Sequence, residues 1–168
     1  MNKPYRLRRW RWPITPPYNG FSGAERIRGW QVQWFLMDHG HIPTLNAIKC
    51  EVCGSRQRAH YHLEDYFDPY RSGIPLCIHC HRALHRRFRN PDGWLNILHR
   101  NRCDLGAWTK RLTQTEDTDL VTPQVERHGE AVRTCTLFIP DRELFPLDQL
   151  HALDGDDTPK PRQMCLDL

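Results

Sequence analysis

Between residues 22 and 40 apolar side chains recur at three- and four-residue steps, with Ile27, Trp30, Trp34 and Met37 on one helical face. Ser22 and Glu25 have capping-box spacing and Gly40 supplies a stop, so a helix is predicted over Ser22–Gly40, its tryptophan stripe facing the core. From Arg58 to Glu64 the period shortens to two, which predicts a strand. The run FDPYRSG is turn-like, and Ile74–Leu76 can return as a second strand. Cys80–Arg89 reads as a helix with Leu84 and Phe88 on one side, broken by Pro91-Asp92-Gly93. Further helices are expected over Trp94–Arg100 and Leu105–Leu112. Thr134–Ile139 (TCTLFI) has a β-type pattern ending at Pro140, and residues 150–168 read as disordered. There is no internal repeat.

A chain of 168 residues, with 13 prolines and 39 % hydrophobic residues, suits one modest domain with tails. Three stretches follow: a basic Arg/Trp arm over 1–20, a body over 21–112, and an acidic, partly disordered region over 113–168. Residues 1–111 hold 19 Lys/Arg against 8 Asp/Glu, a formal +11, whereas 112–168 hold 5 against 12, a formal −7. A basic body suits a polyanionic partner. No run approaches the roughly 20 apolar residues of a membrane span. The N-terminal RLRRWRW leads into no apolar segment, so a cytoplasmic, non-secreted chain is expected. In such a compartment thiols bind metal rather than pair; of the seven cysteines, Cys103, Cys135 and Cys165 follow no ligand spacing and read as ordinary buried or tail thiols.

Two Cys-x-x-Cys pairs, Cys50/Cys53 and Cys77/Cys80, stand 23 residues apart. Four thiolates at this spacing predict a structural Zn²⁺ site. Between and after them lie His60, His62, Glu64, Asp65, His81 and His85, more ligand-type side chains than one structural zinc needs. His60 and His62 share a face on a strand, and His81 and His85 share a face on a helix. If the clamp lays that helix across the hairpin, four imidazoles and Glu64 or Asp65 can converge on a second, chemically open metal site. Arg82, Arg86, Arg87 and Arg89 follow on the same helix, and Arg9 and Arg11 lie in the arm beside Trp10 and Trp12. These arginines are expected to hold nucleic-acid phosphates.

The run CEVCG, then AHYHLEDY, then LCIHCHRALH, over residues 50–88, resembles the zinc-clamped HNH endonucleases of the ββα-metal fold, in particular phage-encoded members. The resemblance implies an α+β fold: a small zinc-stapled ββα core of β-hairpin plus helix, with flanking helices and an irregular C-terminal region. It implies DNA cleavage with one catalytic divalent ion, Mg²⁺ or another, and a strand histidine as general base. His81 corresponds to the family's helix histidine and becomes a metal ligand. His62 is expected as the base, with His60, Asp65 and His85 assisting the metal. The family's adjacent histidines are here split as His60-Tyr61-His62, and strict alignment on Glu64-Asp65-Tyr66 puts Leu63 at the base position. The middle asparagine is absent, since no Asn lies between Asp65 and Leu76. The reading is a metal-dependent DNA endonuclease, with DNA as partner and a larger phage or mobile-element assembly as a candidate partner. The alternative is a non-catalytic zinc-stabilised module that binds nucleic acid or an assembly. A zinc deaminase is disfavoured: His62-Leu63-Glu64 matches half of that signature, but Leu76 stands where proline is needed.

Overall fold

The computed structural model describes residues 5–151. Among them are five α-helices and one two-stranded antiparallel sheet, an α+β architecture: α1 (Gly23–Asp38), β1 (His60–Leu63), β2 (Gly73–Leu76), α2 (Ile78–His85), α3 (Pro91–Arg100), α4 (Leu105–Arg111) and α5 (Val121–His128). None of the described helices is long and apolar enough to cross a membrane. The described residues form two compact units, one of 5–42, 65–72 and 119–151, the other of 43–64 and 73–118. This division differs from the expected boundaries near residues 20 and 112. The segment 150–168, expected to be disordered, lies almost wholly outside the described residues.

The first unit is built on α1. Ser22 caps it as its spacing predicts: its hydroxyl accepts from the Glu25 N–H, and the Glu25 carboxylate accepts from the Ser22 N–H at 2.7 Å. The tryptophan stripe is not the core face. Trp30 and Trp34 are half-buried, whereas Ile27, Val32, Phe35, Leu36 and Met37 are buried. Three buried polar side chains of α1 have partners. Glu25 pairs with Arg133, Arg28 donates to the Arg133 carbonyl at 2.7 Å, and Gln31 donates to the Arg8 carbonyl at 3.2 Å. Phe21 packs edge-on against Tyr66 and Phe67, and Phe35 against Phe145. The TCTLFI run forms no strand. Cys135 takes a left-handed φ of 61° directly after a 3₁₀ turn over Glu130–Thr134, which interrupts the extended run. Helix α5 was not legible from the apolar pattern. Its signal is local: the Asp119 carboxylate accepts from the N–H groups of Val121 and Thr122.

The second unit carries the sheet. His60 pairs with Leu76, Tyr61 with Pro75, His62 with Ile74 and Leu63 with Gly73. Its core joins Ile74, Leu76 and Leu84 to Trp94, Leu98, Trp108 and Leu112, around Cys50, Cys77 and Cys80. Helix α2 is shorter than expected, ending at His85, and Pro91-Asp92-Gly93 opens α3 rather than merely ending its predecessor. Proline costs nothing in a first turn, where its missing N–H would have no partner, and the Asn90 side chain caps the helix by accepting from the Gly93 N–H at 2.9 Å.

Candidate metal centres

Cys50 and Cys53 sit on a tight knuckle closed by bonds from Cys50 N–H to the Ser55 carbonyl and from Gly54 N–H to the Cys50 carbonyl, both 2.8 Å. Gly54 takes φ +72°, a conformation that favours glycine. The Glu51 N–H donates to the Pro75 carbonyl at 2.9 Å and so ties the knuckle to β2. Cys77 is the N-cap residue of α2, and Cys80 lies in its first turn. The four sulfurs lie within 4.8 Å of one another, and Cys53 and Cys77 are 3.6 Å apart. A tetrahedral zinc with bonds of about 2.3 Å sets its sulfurs about 3.8 Å apart. These four cysteines could therefore hold a metal such as zinc. Their acidities agree. The hydrogen bond from Cys80 brings the Cys50 thiol down to about 4, against the opposing effect of burial. Cys80 is pushed up chiefly by that same bond, and Cys53 chiefly by burial. One thiolate is comfortable there alone; four need a cation among them.

Across the hairpin from this cluster, His62, His81 and His85 bring one ring nitrogen each within 4.8 Å of the others. His62 Nδ1 is 3.1 Å from His81 Nε2, and His85 Nε2 is 2.9 Å from the same atom. The tautomers follow from the outer partners. His62 Nε2 lies 2.7 Å from a Glu64 carboxylate oxygen, so it carries the proton and leaves Nδ1 as an acceptor. His60 donates through Nδ1 to the Arg58 carbonyl at 3.0 Å, so its Nε2 is an acceptor, 2.5 Å from His81 Nδ1. That contact places the His81 proton on Nδ1 and frees Nε2 to face His62 and His85. The His62–His81 contact thus sets two acceptors against each other, an arrangement that a cation between them relieves, and a carboxylate behind a ligand histidine is the usual support for one. Nitrogens bound to one ion at 2.0–2.1 Å stand about 3.3 Å apart in tetrahedral geometry. The donor set suits zinc, nickel or another ion that accepts imidazole; it does not suit Mg²⁺, which prefers oxygen.

Glu64 follows β1 directly and is 5 % exposed. Burial alone would raise its carboxyl; the hydrogen bond from His62, the charge of Arg87 and the Thr113 hydroxyl outweigh this and hold it at about 2. Its second oxygen accepts from Arg87 Nη2 at 2.8 Å, from the Thr113 N–H at 2.7 Å and from the Thr113 hydroxyl at 2.6 Å. Arg87 also donates to the Leu84 carbonyl at 3.1 Å. One carboxylate thus joins the end of β1, the turn after α2 and the segment after α4.

These placements revise several expectations. Arg87 is 7 % exposed and supports Glu64, so it is not a phosphate contact. Arg82, Arg86 and Arg89 are exposed, the last in a surface pair with Glu116 at 3.4 Å. His62, expected as the base, has Nε2 on Glu64 and Nδ1 in the imidazole cluster, which is the posture of a ligand. Asp65, expected at the metal, belongs to the first unit, where its oxygens accept from the Phe67 N–H and from Gln124, and its carboxyl is raised by burial. Thr113 was missed entirely. Glu64 was noticed only as a possible ligand, and its signal was the His62-x-Glu64 spacing on one strand face. Arg9 and Arg11 belong to the first unit and are exposed. Compared with protein families, curated proteins and solved structures, the chain matches none.

Two outcomes are expected. Cys80→Ser should strip the purified protein of tightly bound zinc and lower its melting temperature; unchanged zinc content by elemental analysis would contradict the cysteine site. Arg87→Ala leaves Glu64 buried without its counter-charge and should cost about 3–5 kcal/mol in denaturant unfolding. A loss close to zero would mean the network is slack.

Proposed function

We propose that the chain is a metal-dependent DNA endonuclease of the HNH type, with its catalytic ion held by His62, His81 and His85. The observation that carries this reading is the convergence of three imidazole nitrogens, those of His62 and His81 oriented from behind by Glu64 and His60, at the junction of hairpin and helix. Bound there, a divalent ion would supply Lewis-acid stabilisation of the charge that builds on the phosphate and the leaving oxygen. The protein supplies the rest. Glu64, Arg87 and Thr113 keep His62 in one tautomer and position. His60 is the imidazole outside the converging three, half-buried, with its Nδ1 proton fixed on the Arg58 carbonyl. Its Nε2 accepts from the His81 Nδ1–H and so holds the His81 ring in place, which makes His60 a positioning residue for the ion rather than the general base that the sequence suggested in His62. Exposed Arg82, Arg86 and Arg89, on and just after α2, hold the phosphates of the DNA backbone.

One observation favours the non-catalytic alternative. Leu63, at the base position by strict alignment, is 0 % exposed, so no protonatable group stands there. Plasmid nicking separates the two. Supercoiled DNA should be nicked when Zn²⁺, Ni²⁺ or Mn²⁺ is added. His81→Ala should slow nicking by roughly 100-fold or more and His60→Ala by roughly 10- to 100-fold, both with the cysteine-bound zinc retained. Nicking unaffected by His81→Ala would sink the metal assignment. DNA binding without cutting under any ion would favour the binding module.

A further inference from the structure

The N-terminal arm is irregular but pinned. The Leu7 N–H donates to the Gln149 side chain at 2.8 Å, Gln31 donates to the Arg8 carbonyl, and the Tyr5 hydroxyl and Arg8 guanidinium both hold Asp38. Trp10 donates through its indole N–H to the Pro13 carbonyl at 3.1 Å. With the backbone fixed in this way, three indoles gather. Trp10 and Trp12 meet edge to face at 5.0 Å, Trp10 lies near-parallel to Trp34 of α1 at 6.1 Å, and Trp12 and Trp34 are 6.5 Å apart. Trp12 is 61 % exposed, and Trp10 and Trp34 are half-buried. Trp12 thus stays open to water beside two other indoles. Arg6, Arg9 and Arg11 are exposed in the same strip and have no ion-pair partner among the described residues, whereas Arg8 is neutralised by Asp38.

We propose that Trp10, Trp12 and Trp34, flanked by Arg6, Arg9 and Arg11, form a stacking platform for single-stranded nucleic acid. Unpaired cations suit a polyanion, and an exposed indole suits a flat partner. An unpaired strand offers both at once, because its bases expose faces that a duplex keeps stacked. The indoles receive bases and the arginines receive the adjoining phosphates. This inference stands independently of the histidine centre.

The test is fluorescence anisotropy with the full chain and a labelled mixed-sequence oligonucleotide, single-stranded or annealed to its complement, without added divalent ion so that cleavage does not intervene. The single strand should bind more tightly than the duplex. Trp12→Ala should weaken single-strand binding at least about fivefold and leave duplex binding nearly unchanged. Trp12→Phe, which keeps an aromatic face, should retain most of the affinity. In Arg9→Ala/Arg11→Ala, the slope of log affinity against log salt should fall by about 0.7 for each arginine removed. Wild-type affinity in Trp12→Ala, equal losses on single strand and duplex, or an unchanged salt slope would each overturn the proposal. So would Trp12-dependent capture by anionic lipid vesicles with no oligonucleotide binding.

Discussion

A two-stranded hairpin of four residues per strand has too little surface to hold itself in water. In the second unit, four converging cysteine sulfurs address this shortfall. The knuckle bearing Cys50 and Cys53 is tied to β2 through Glu51 and Pro75, while Cys77 and Cys80 start α2 directly after β2. Fixing the four sulfurs therefore fixes both where α2 begins and how it is rotated. His81 follows Cys80 at once and His85 lies one turn on, so the clamp also aims both imidazoles. On the opposite element, the period-two alternation of β1 puts His60 and His62 on one face. The histidine cluster is a consequence of the cysteine geometry rather than a separate achievement of packing.

The second constraint is the buried charge of Glu64. A carboxylate this enclosed survives only if every lone pair is occupied, and here His62, Arg87 and Thr113 occupy them. Buried ion pairs add little net stability compared with apolar packing, but they penalise any arrangement that leaves one partner alone. Glu64 thereby enforces the position of the His62 ring and recruits an arginine that would otherwise have served the surface. The proposed chemistry depends on that enforcement, because a ligand histidine free to rotate would present either nitrogen.

Much of this was legible in the sequence, for identifiable reasons. The capping pair Ser22 and Glu25, the alternation around His60 and His62, and the two cysteine pairs are short-range signals, and each appears where its spacing placed it. What escaped prediction depends on distant partners. Trp30 and Trp34 looked like a core stripe, yet the buried face of α1 includes Arg28 and Gln31 because the Arg133 and Arg8 carbonyls receive them. Arg87 looked like its neighbours Arg86 and Arg89, and only Glu64, 23 residues earlier, separates their fates. The TCTLFI run had strand-forming residues, but local propensity did not decide its conformation. The individual histidine roles depend on tautomers, which only the outer partners Glu64 and the Arg58 carbonyl reveal.

In the proposed function the three imidazoles form a metal site distinct from the cysteine cluster. Cobalt titration of the metal-free protein, followed by visible and near-ultraviolet absorption, tests it most directly, because thiolate and imidazole ligands give different spectra. The account predicts two binding steps. The first brings thiolate-to-cobalt charge transfer; the second brings ligand-field bands alone, and only the second disappears in His62→Ala. Saturation by the thiolate step alone, with the same titration in His62→Ala, would contradict it.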